Sequence, residues 1–140
     1  GERKEVKMIY GSCLCGSVTY EADCDNGPII HCHCQTCRKA HSAAFSTVMP
    51  IAHDAFRWTS GEDVLNRFES SPGKKRYFCT NCGSQLIAER LSAKMVLLRI
   101  GCVDTEITDR PDAHIWRSDG APWYDPDHEI RQLAEGYVRA

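Results

Sequence analysis

Seven of the nine cysteines in this chain fall into three tight clusters. They read Cys13-Leu14-Cys15-Gly16, then Cys32-His33-Cys34-Gln35-Thr36-Cys37, then Cys79-Thr80-Asn81-Cys82-Gly83. CxC, CxCxxC and CxxC spacings place thiols near enough to share a metal ion. Seven thiols do not make two closed tetrahedral sites. They do divide into four plus three. Four thiolates close a structural zinc site, and three leave one coordination position open to a substrate. Whatever fold the chain adopts must therefore bring segments far apart in sequence together around metal.

Local spacing suggests the partition. Residues i and i+2 of a strand share a face, so Cys13 and Cys15 can present two sulfurs to one ion. Cys79 and Cys82 with Gly83 read as a zinc knuckle, in which glycine takes the positive φ of the bend. These two halves predict a closed four-cysteine site tying the first third of the chain to its middle. The plainer alternative is four unrelated core cysteines. In the CxCxxC cluster, Cys32 and Cys34 are expected on one strand face, with Cys37 returning over one turn. Together they form a half-shell open on one side. A second structural zinc completed by a histidine, Cys24 or Cys102, a redox pair and an iron–sulfur centre are the competing readings, though iron–sulfur spacings differ.

The histidines follow from the same periodicity. His31 and His33 alternate with Cys32 and Cys34 and are expected to point away from the metal. His41, four residues after Cys37, is a candidate fourth ligand, a proton donor, or a plain surface histidine. His53 and His128 sit in polar surroundings and read as surface residues. Cys24 and Cys102 read as small buried apolar residues.

A length of 140 residues predicts one domain over 1–140. Hydrophobic residues at 42% and charged residues at 26% are ordinary for a soluble globular protein. No apolar run reaches the roughly 18–20 residues of a membrane span. The start of the chain, Gly1-Glu2-Arg3-Lys4-Glu5-Val6-Lys7, has no signal-peptide character, so a cytoplasmic location is expected. The odd cysteine count agrees, since disulfide frameworks use even numbers. The formal charge is −2, and seven ionised thiols with two Zn²⁺ make it more negative. That balance argues against nucleic-acid or anionic-membrane partners. The longest basic run, Lys74-Lys75-Arg76, reads as a solvated strand face.

Strand-like alternation recurs at Ser17-Val18-Thr19-Tyr20-Glu21, at Phe45-Ser46-Thr47-Val48-Met49 (stopped by Pro50), at Gln85-Leu86-Ile87-Ala88-Glu89 and at Met95-Val96-Leu97-Leu98-Arg99-Ile100. Val64-Leu65-Asn66-Arg67-Phe68 and Lys75-Arg76-Tyr77-Phe78 flank Ser70-Ser71-Pro72-Gly73, a hairpin turn. The expected class is all-β, built of small packed antiparallel sheets. A turn or two of helix is expected over residues 36–44. Ile130, Leu133, Ala134 and Tyr137 suggest one short terminal helix. Between Cys102 and Asp127, prolines and glycine predict an irregular arm pinned by Ile115, Trp116, Trp123 and Tyr124.

At this point the chain resembles the glutathione-dependent formaldehyde-activating enzymes. The resemblance runs through Gly11-Ser12-Cys13-Leu14-Cys15-Gly16, His31-Cys32-His33-Cys34-Gln35-Thr36-Cys37-Arg38, Ala43-Ala44-Phe45, Phe78-Cys79-Thr80-Asn81-Cys82-Gly83-Ser84 and His114-Ile115-Trp116. It implies a zinc-stabilised β-tent fold. It implies two zinc ions, one structural on Cys13, Cys15, Cys79 and Cys82, and one catalytic on Cys32, Cys34 and Cys37. The implied reaction adds the thiol of glutathione to formaldehyde, a carbon–sulfur lyase reaction written in reverse. Zinc would lower the thiol's pKa from about 8.5 and polarise the carbonyl. Three thiolates weaken its Lewis acidity, which favours thiol capture. Arg38 and Lys39 could pair with the carboxylates of glutathione. The chain departs from the family pattern at Ser42, where glycine is usual. The rival reading is a non-enzymatic two-zinc scaffold or partner-binding module.

Overall fold

A computed structural model describes residues 7–24, 27–126 and 133–135. Within them the chain forms β1 (Lys7–Ser12), β2 (Thr19–Cys24), β3 (Ile30–Cys32), α1 (Gln35–His41), β4 (Ser46–Ala52), β5 (Phe56–Ser60), β6 (Leu65–Ser71), β7 (Lys74–Cys79), β8 (Gln85–Arg90), β9 (Met95–Arg99) and β10 (Ala113–Ile115). The fold is mostly β, with one α-helix among the described residues. Three strands make a sheet in the order β1-β2-β5, and seven make a second in the order β10-β3-β4-β9-β8-β7-β6.

Alternating apolar side chains drive the packing of the two sheets. Along β2, Tyr20, Ala22 and Cys24 point inward while Thr19, Glu21 and Asp23 do not. They meet Ile9 of β1, Met49 and Ile51 of β4, Leu86 and Ile87 of β8, and Val96 and Leu98 of β9. β9 is paired on both edges by β4 and β8, and both its faces are covered, Val96 and Leu98 on one and Leu97 on the other, so its apolar run is continuous. Burying side chains of this size stabilises by about 1.5–3 kcal/mol each. Cys24 behaves as the small apolar residue expected, buried with its Sγ 3.1 Å from Met49 Sδ.

Several expectations are corrected. β4 continues through Pro50 to Ala52, because β3 flanks it only as far as Val48. Past that point one side of β4 has no partner strand among the described residues, and a residue without an N–H is tolerated there. The expected hairpin is present, Ser71 pairing with Lys74 around Pro72-Gly73. The arm is held differently from expectation. β10 adds to β3 in parallel, the one parallel pair among the described strands, and Ala121 is buried. Trp116 and Trp123 are exposed rather than pinning. Ile130, Tyr137 and His128 lie outside the described residues.

α1 starts where Cys34 caps it and ends at Ser42, which takes φ 50° and ψ 45° and returns its N–H to the Arg38 carbonyl. A left-handed conformation strains any residue with a Cβ. A glycine at this position would relieve that strain without altering the turn. Ser42→Gly is therefore expected to stabilise the fold by about 1 kcal/mol, a rise of roughly 3–5 °C in the melting temperature. A lowered melting temperature would show that the serine side chain contributes more than its backbone costs.

Candidate metal centres

Four sulfurs meet where the two sheets meet. After β1 the chain turns back over residues 13–18, with the Gly16 N–H donating to the Cys13 carbonyl at 3.0 Å and the Cys13 N–H to the Val18 carbonyl at 3.0 Å. After β7 the pattern repeats: the Gly83 N–H donates to the Cys79 carbonyl at 2.7 Å, and the Cys79 N–H to the Ser84 carbonyl at 3.1 Å. Gly16 and Gly83 share a φ of +79°. The glycine expected in the second turn is thus borne out. The first pair is not on a strand, and the reason is geometric. Cβ atoms two residues apart on a strand are about 6.7 Å apart. The turn brings Cys13 and Cys15 Sγ to 3.6 Å instead.

Cys15 and Cys79 Sγ lie 3.8 Å apart, and all four sulfurs of Cys13, Cys15, Cys79 and Cys82 lie within 4.8 Å of one another. A disulfide needs about 2.0 Å. Tetrahedral ligation with metal–sulfur bonds of about 2.3 Å needs sulfurs about 3.8 Å apart, which this group meets. The surroundings favour thiolates. The Cys82 thiol is pulled down to about 5, first by the side chain and then by the backbone of Ser84. Cys15 is lowered mainly by the Ser17 hydroxyl, 3.3 Å away. Cys79 is pushed up to about 11 by burial, the effect that a cation would reverse.

The second group holds the sulfurs of Cys32, Cys34 and Cys37, also within 4.8 Å of one another. Cys32 ends β3. Cys34 has left the strand and is the N-cap of α1, its Sγ accepting the Cys37 N–H at 3.4 Å. Cys37 lies in the first helical turn, buried. Cys37 returns over a turn as expected, but Cys34 caps the helix instead of sharing a strand face with Cys32. His41 is not part of this three-sulfur group.

Leaving the strand also changes the histidines. His33 is fully buried, its Nε2 2.8 Å from Nδ1 of His114 on β10, while its N–H donates to the Ile115 carbonyl. His31 Nδ1 lies 2.8 Å from Thr47 Oγ1. Phe45 and Tyr124 close over this cluster, so the peptide between Cys32 and Cys34 is clamped from outside.

The basic run is the largest correction. Lys74 and Arg76 are not solvated; only 8% and 2% of each is exposed. Period-two alternation along β7 puts both on the buried face that Ala88 and Leu97 share, and Lys75 on the other face with Tyr77. Arg76 reaches Cys37 Sγ at 3.7 Å and Thr36 Oγ1 at 3.4 Å, and its Nε donates to Ser70 Oγ at 2.8 Å. The Cys37 thiol is pulled down to about 3, chiefly by the hydrogen bond from Cys32, with Ser46 and Arg76 adding to it. Cys32 is pushed up by the same bond and by burial. Arg99, at the end of β9, is buried as well, and burial followed by Arg76 brings it down to about 10. Arg76 and Arg99 had no signal in the cysteine spacing. The alternation inside Lys74-Lys75-Arg76 could have shown that one face of that run turns inward.

Of the cations proposed from sequence, Lys39 is exposed and lines a cavity of about 350 Å³ with Thr36 and Arg76. His41 lines a second cavity, of about 550 Å³, with Ser46 and Arg99. Burial, then Arg99, pushes the His41 imidazole down to about 4. Cys102 is half-buried beside this cavity, its Sγ donating to the Gln85 carbonyl at 3.4 Å. Among the described residues no helix is long and apolar enough to cross a membrane.

Two outcomes follow from this geometry. Cys79→Ser removes a sulfur from the four-cysteine group that joins two sheets; if that group holds metal, the variant is expected to be unfolded or insoluble, because binding there would be part of the folding free energy. Cys34→Ser touches one helix cap and is expected to leave a folded chain with reduced metal content. Circular dichroism with elemental analysis separates them, and equal collapse of both variants contradicts the partition. The second outcome concerns acid. The unfolded chain protonates His41 near its ordinary 6.5, while the folded chain keeps it neutral to about 4. The unfolded state then binds more protons in this window, and stability falls as pH falls through it. Urea melts of wild type and His41→Gln at about pH 7.5 and about pH 5 are expected to show the wild type losing more. An unchanged difference between them contradicts a buried neutral imidazole.

Comparisons with known proteins agree with this arrangement. Residues 8–119 match the family model described as glutathione-dependent formaldehyde-activating enzyme. An uncharacterized lyase of Schizosaccharomyces pombe is 32% identical over 76 residues, covering 54% of this chain and 53% of that protein. The match thus spans about half the length of that curated relative. The crystal structure of a Rhodobacter sphaeroides protein has a TM-score of 0.64 at 20% identity, covering 75% of this chain and 98% of that one. That likeness speaks for the fold.

Proposed function

Because the chain belongs to the glutathione-dependent formaldehyde-activating enzyme family, we propose that it is a zinc-dependent carbon–sulfur lyase that joins glutathione and formaldehyde to S-hydroxymethylglutathione, or runs a closely related thiol–aldehyde addition. The observation that carries this reading is the difference between its two sulfur groups. One has four thiols and is complete as a tetrahedral donor set; the other has three. In this reading Cys13, Cys15, Cys79 and Cys82 hold a structural zinc, and Cys32, Cys34 and Cys37 hold the catalytic one. The lyase name of the yeast relative supports the reaction class.

When bound, the second zinc supplies a Lewis acid that holds an incoming thiol in its ionised form. The protein's own residues do the rest. Cys32, Ser46 and Arg76 favour the thiolate of Cys37, which keeps it ready as a ligand. Lys74, Arg76 and Arg99 set a positive field around the three sulfurs, which draws in a negatively charged thiol and stabilises charge building on the aldehyde oxygen. His41 faces the adjoining cavity as a neutral imidazole and not as a fourth ligand. The addition is easy without a catalyst, so the enzyme need supply only a few kcal/mol, mostly by proximity.

Cobalt in place of zinc makes the reading testable, because thiolate coordination shifts its visible spectrum. Glutathione at about millimolar concentration is expected to perturb one of the two sites and to accelerate formaldehyde adduct formation measured by NMR. Cys34→Ser is expected to abolish both effects. A chain that binds two metals but shows neither effect is a zinc scaffold or partner-binding module.

A further inference from the structure

Three buried cations stand beside the three-sulfur group, and one of the two guanidiniums makes no hydrogen bond among the described residues. Arg76 holds Ser70, Thr36 and Cys37 through Nε and Nη2, with Nη1 unpaired. Arg99 is 4% exposed, and its Nε and Nη2 have no hydrogen-bond partner among the described residues. No carboxylate of the described residues forms an ion pair with Lys74, Arg76 or Arg99. A buried guanidinium with unused N–H groups is costly unless a ligand satisfies it. The charge count points the same way. Three thiolates and one divalent ion leave a single net negative charge, against three cations.

Arg99 lines the cavity of about 550 Å³ between the end of α1, the start of β4 and the turn after Cys82. That volume suits a small ligand. His41 Nε2 and Gln85 Oε1 line the same cavity, buried and likewise without partners. Ser46 joins this space to the three-sulfur group: it lines the cavity, pairs in register with Cys32 and favours the Cys37 thiolate. Ser46 therefore stands between the cavity and the three sulfurs.

We propose that Arg99 anchors a carboxylate subsite in this cavity and selects thiol substrates that carry a carboxylate. The fork of a guanidinium matches the two oxygens of a carboxylate, and no water need be retained between them. The proposal rests on the thiol–aldehyde reading above and names the residue that gives it specificity. It replaces the Arg38 and Lys39 expected from sequence, since Lys39 is exposed and Arg38 lines neither cavity described here.

The test compares glutathione with its diethyl ester on the cobalt-loaded chain, reading the visible spectrum. The ester keeps the thiol and removes both carboxylates. Wild type is expected to bind glutathione at least about tenfold more tightly than the ester. Arg99→Gln is expected to weaken glutathione about 10- to 100-fold and the ester less than about twofold. Arg99→Lys keeps the charge without the fork and is expected to fall between. Gly101→Asp offers a second route if Arg99→Gln does not fold. Gly101 lines the cavity, and a Cβ there meets nothing within 4 Å. Its carboxylate is expected to occupy Arg99 from within and to abolish the preference in a folded chain. A preference for glutathione retained in both variants overturns the proposal.

Two further arms separate the possible failures. Glyoxylate with 2-mercaptoethanol moves the carboxylate from the thiol to the aldehyde. If turnover of that pair depends on Arg99 while glutathione binding does not, the assignment to the thiol is overturned. If no thiol perturbs the wild-type spectrum, the thiol–aldehyde reading fails on its own. The subsite is then judged by propionate binding in NMR titrations. Binding lost in Arg99→Gln supports the subsite, and no propionate binding in wild type overturns it.

Discussion

The meeting of four sulfurs from two separate turns is the constraint on which the rest of the structure depends. Cys13 and Cys15 follow the edge strand of the three-stranded sheet, and Cys79 and Cys82 link two strands of the seven-stranded one. A chain of 140 residues has a modest core, and two sheets packed on one apolar layer have little margin. A clasp at their junction fixes how they stack. The two turns are alike, each with a glycine at the same φ and a first-cysteine N–H that donates five residues ahead, but the second is one residue longer between its cysteine carbonyl and its glycine. The Leu14 N–H donates to Ser84 Oγ at 3.0 Å, so each turn also holds the other directly.

That clasp leads to the three-sulfur group through the strands it orders. Cys79 ends β7, and the same strand carries Lys74 and Arg76 on one buried face. Fixing one end of β7 fixes where those cations stand. β9 and β4, paired next to each other, bring Arg99 to the same place. The cations thus arrive from strands far in sequence from the CxCxxC cluster, while the cluster supplies its sulfurs from a strand end and a seven-residue helix. Short local geometry sets the sulfurs, and long-range pairing sets their electrostatics.

A metal–thiolate group inside protein needs its charge balanced, since unpaired charge in a low-dielectric interior is expensive. With a divalent ion on the three thiolates, as proposed above, Lys74, Arg76 and Arg99 would exceed the remaining negative charge, and Arg99 lines a cavity. His33, His114, Phe45 and Tyr124 clamp the sulfur group on one side, and Ser46, paired in register with Cys32, lines the cavity between α1 and β4. The arrangement suits a small negatively charged reactant better than a macromolecular partner. It also explains why Ser42, in a strained conformation, is worth keeping in shape: the turn it makes leads straight into Phe45 and Ser46.

The cysteine spacings alone determined the partition into four and three and the knuckle at Gly83, and apolar alternation determined the mostly-β class, because ligand spacing and strand alternation are local properties. Sequence also located the hairpin at Pro72-Gly73, where two residues suffice to make the turn. What it could not decide was the course of the chain where tertiary contacts override local pattern. Pro50 stays within a strand because no described strand flanks it on one side, and Cys15 and Cys34 leave their strands because the sulfurs must converge. His33 turns inward to meet a histidine 81 residues away. Lys74 and Arg76 looked like a solvated run because their compensating thiolates lie about forty residues earlier in the chain. Burial of a charge depends on what faces it, and only the folded structure brings the opposing groups together.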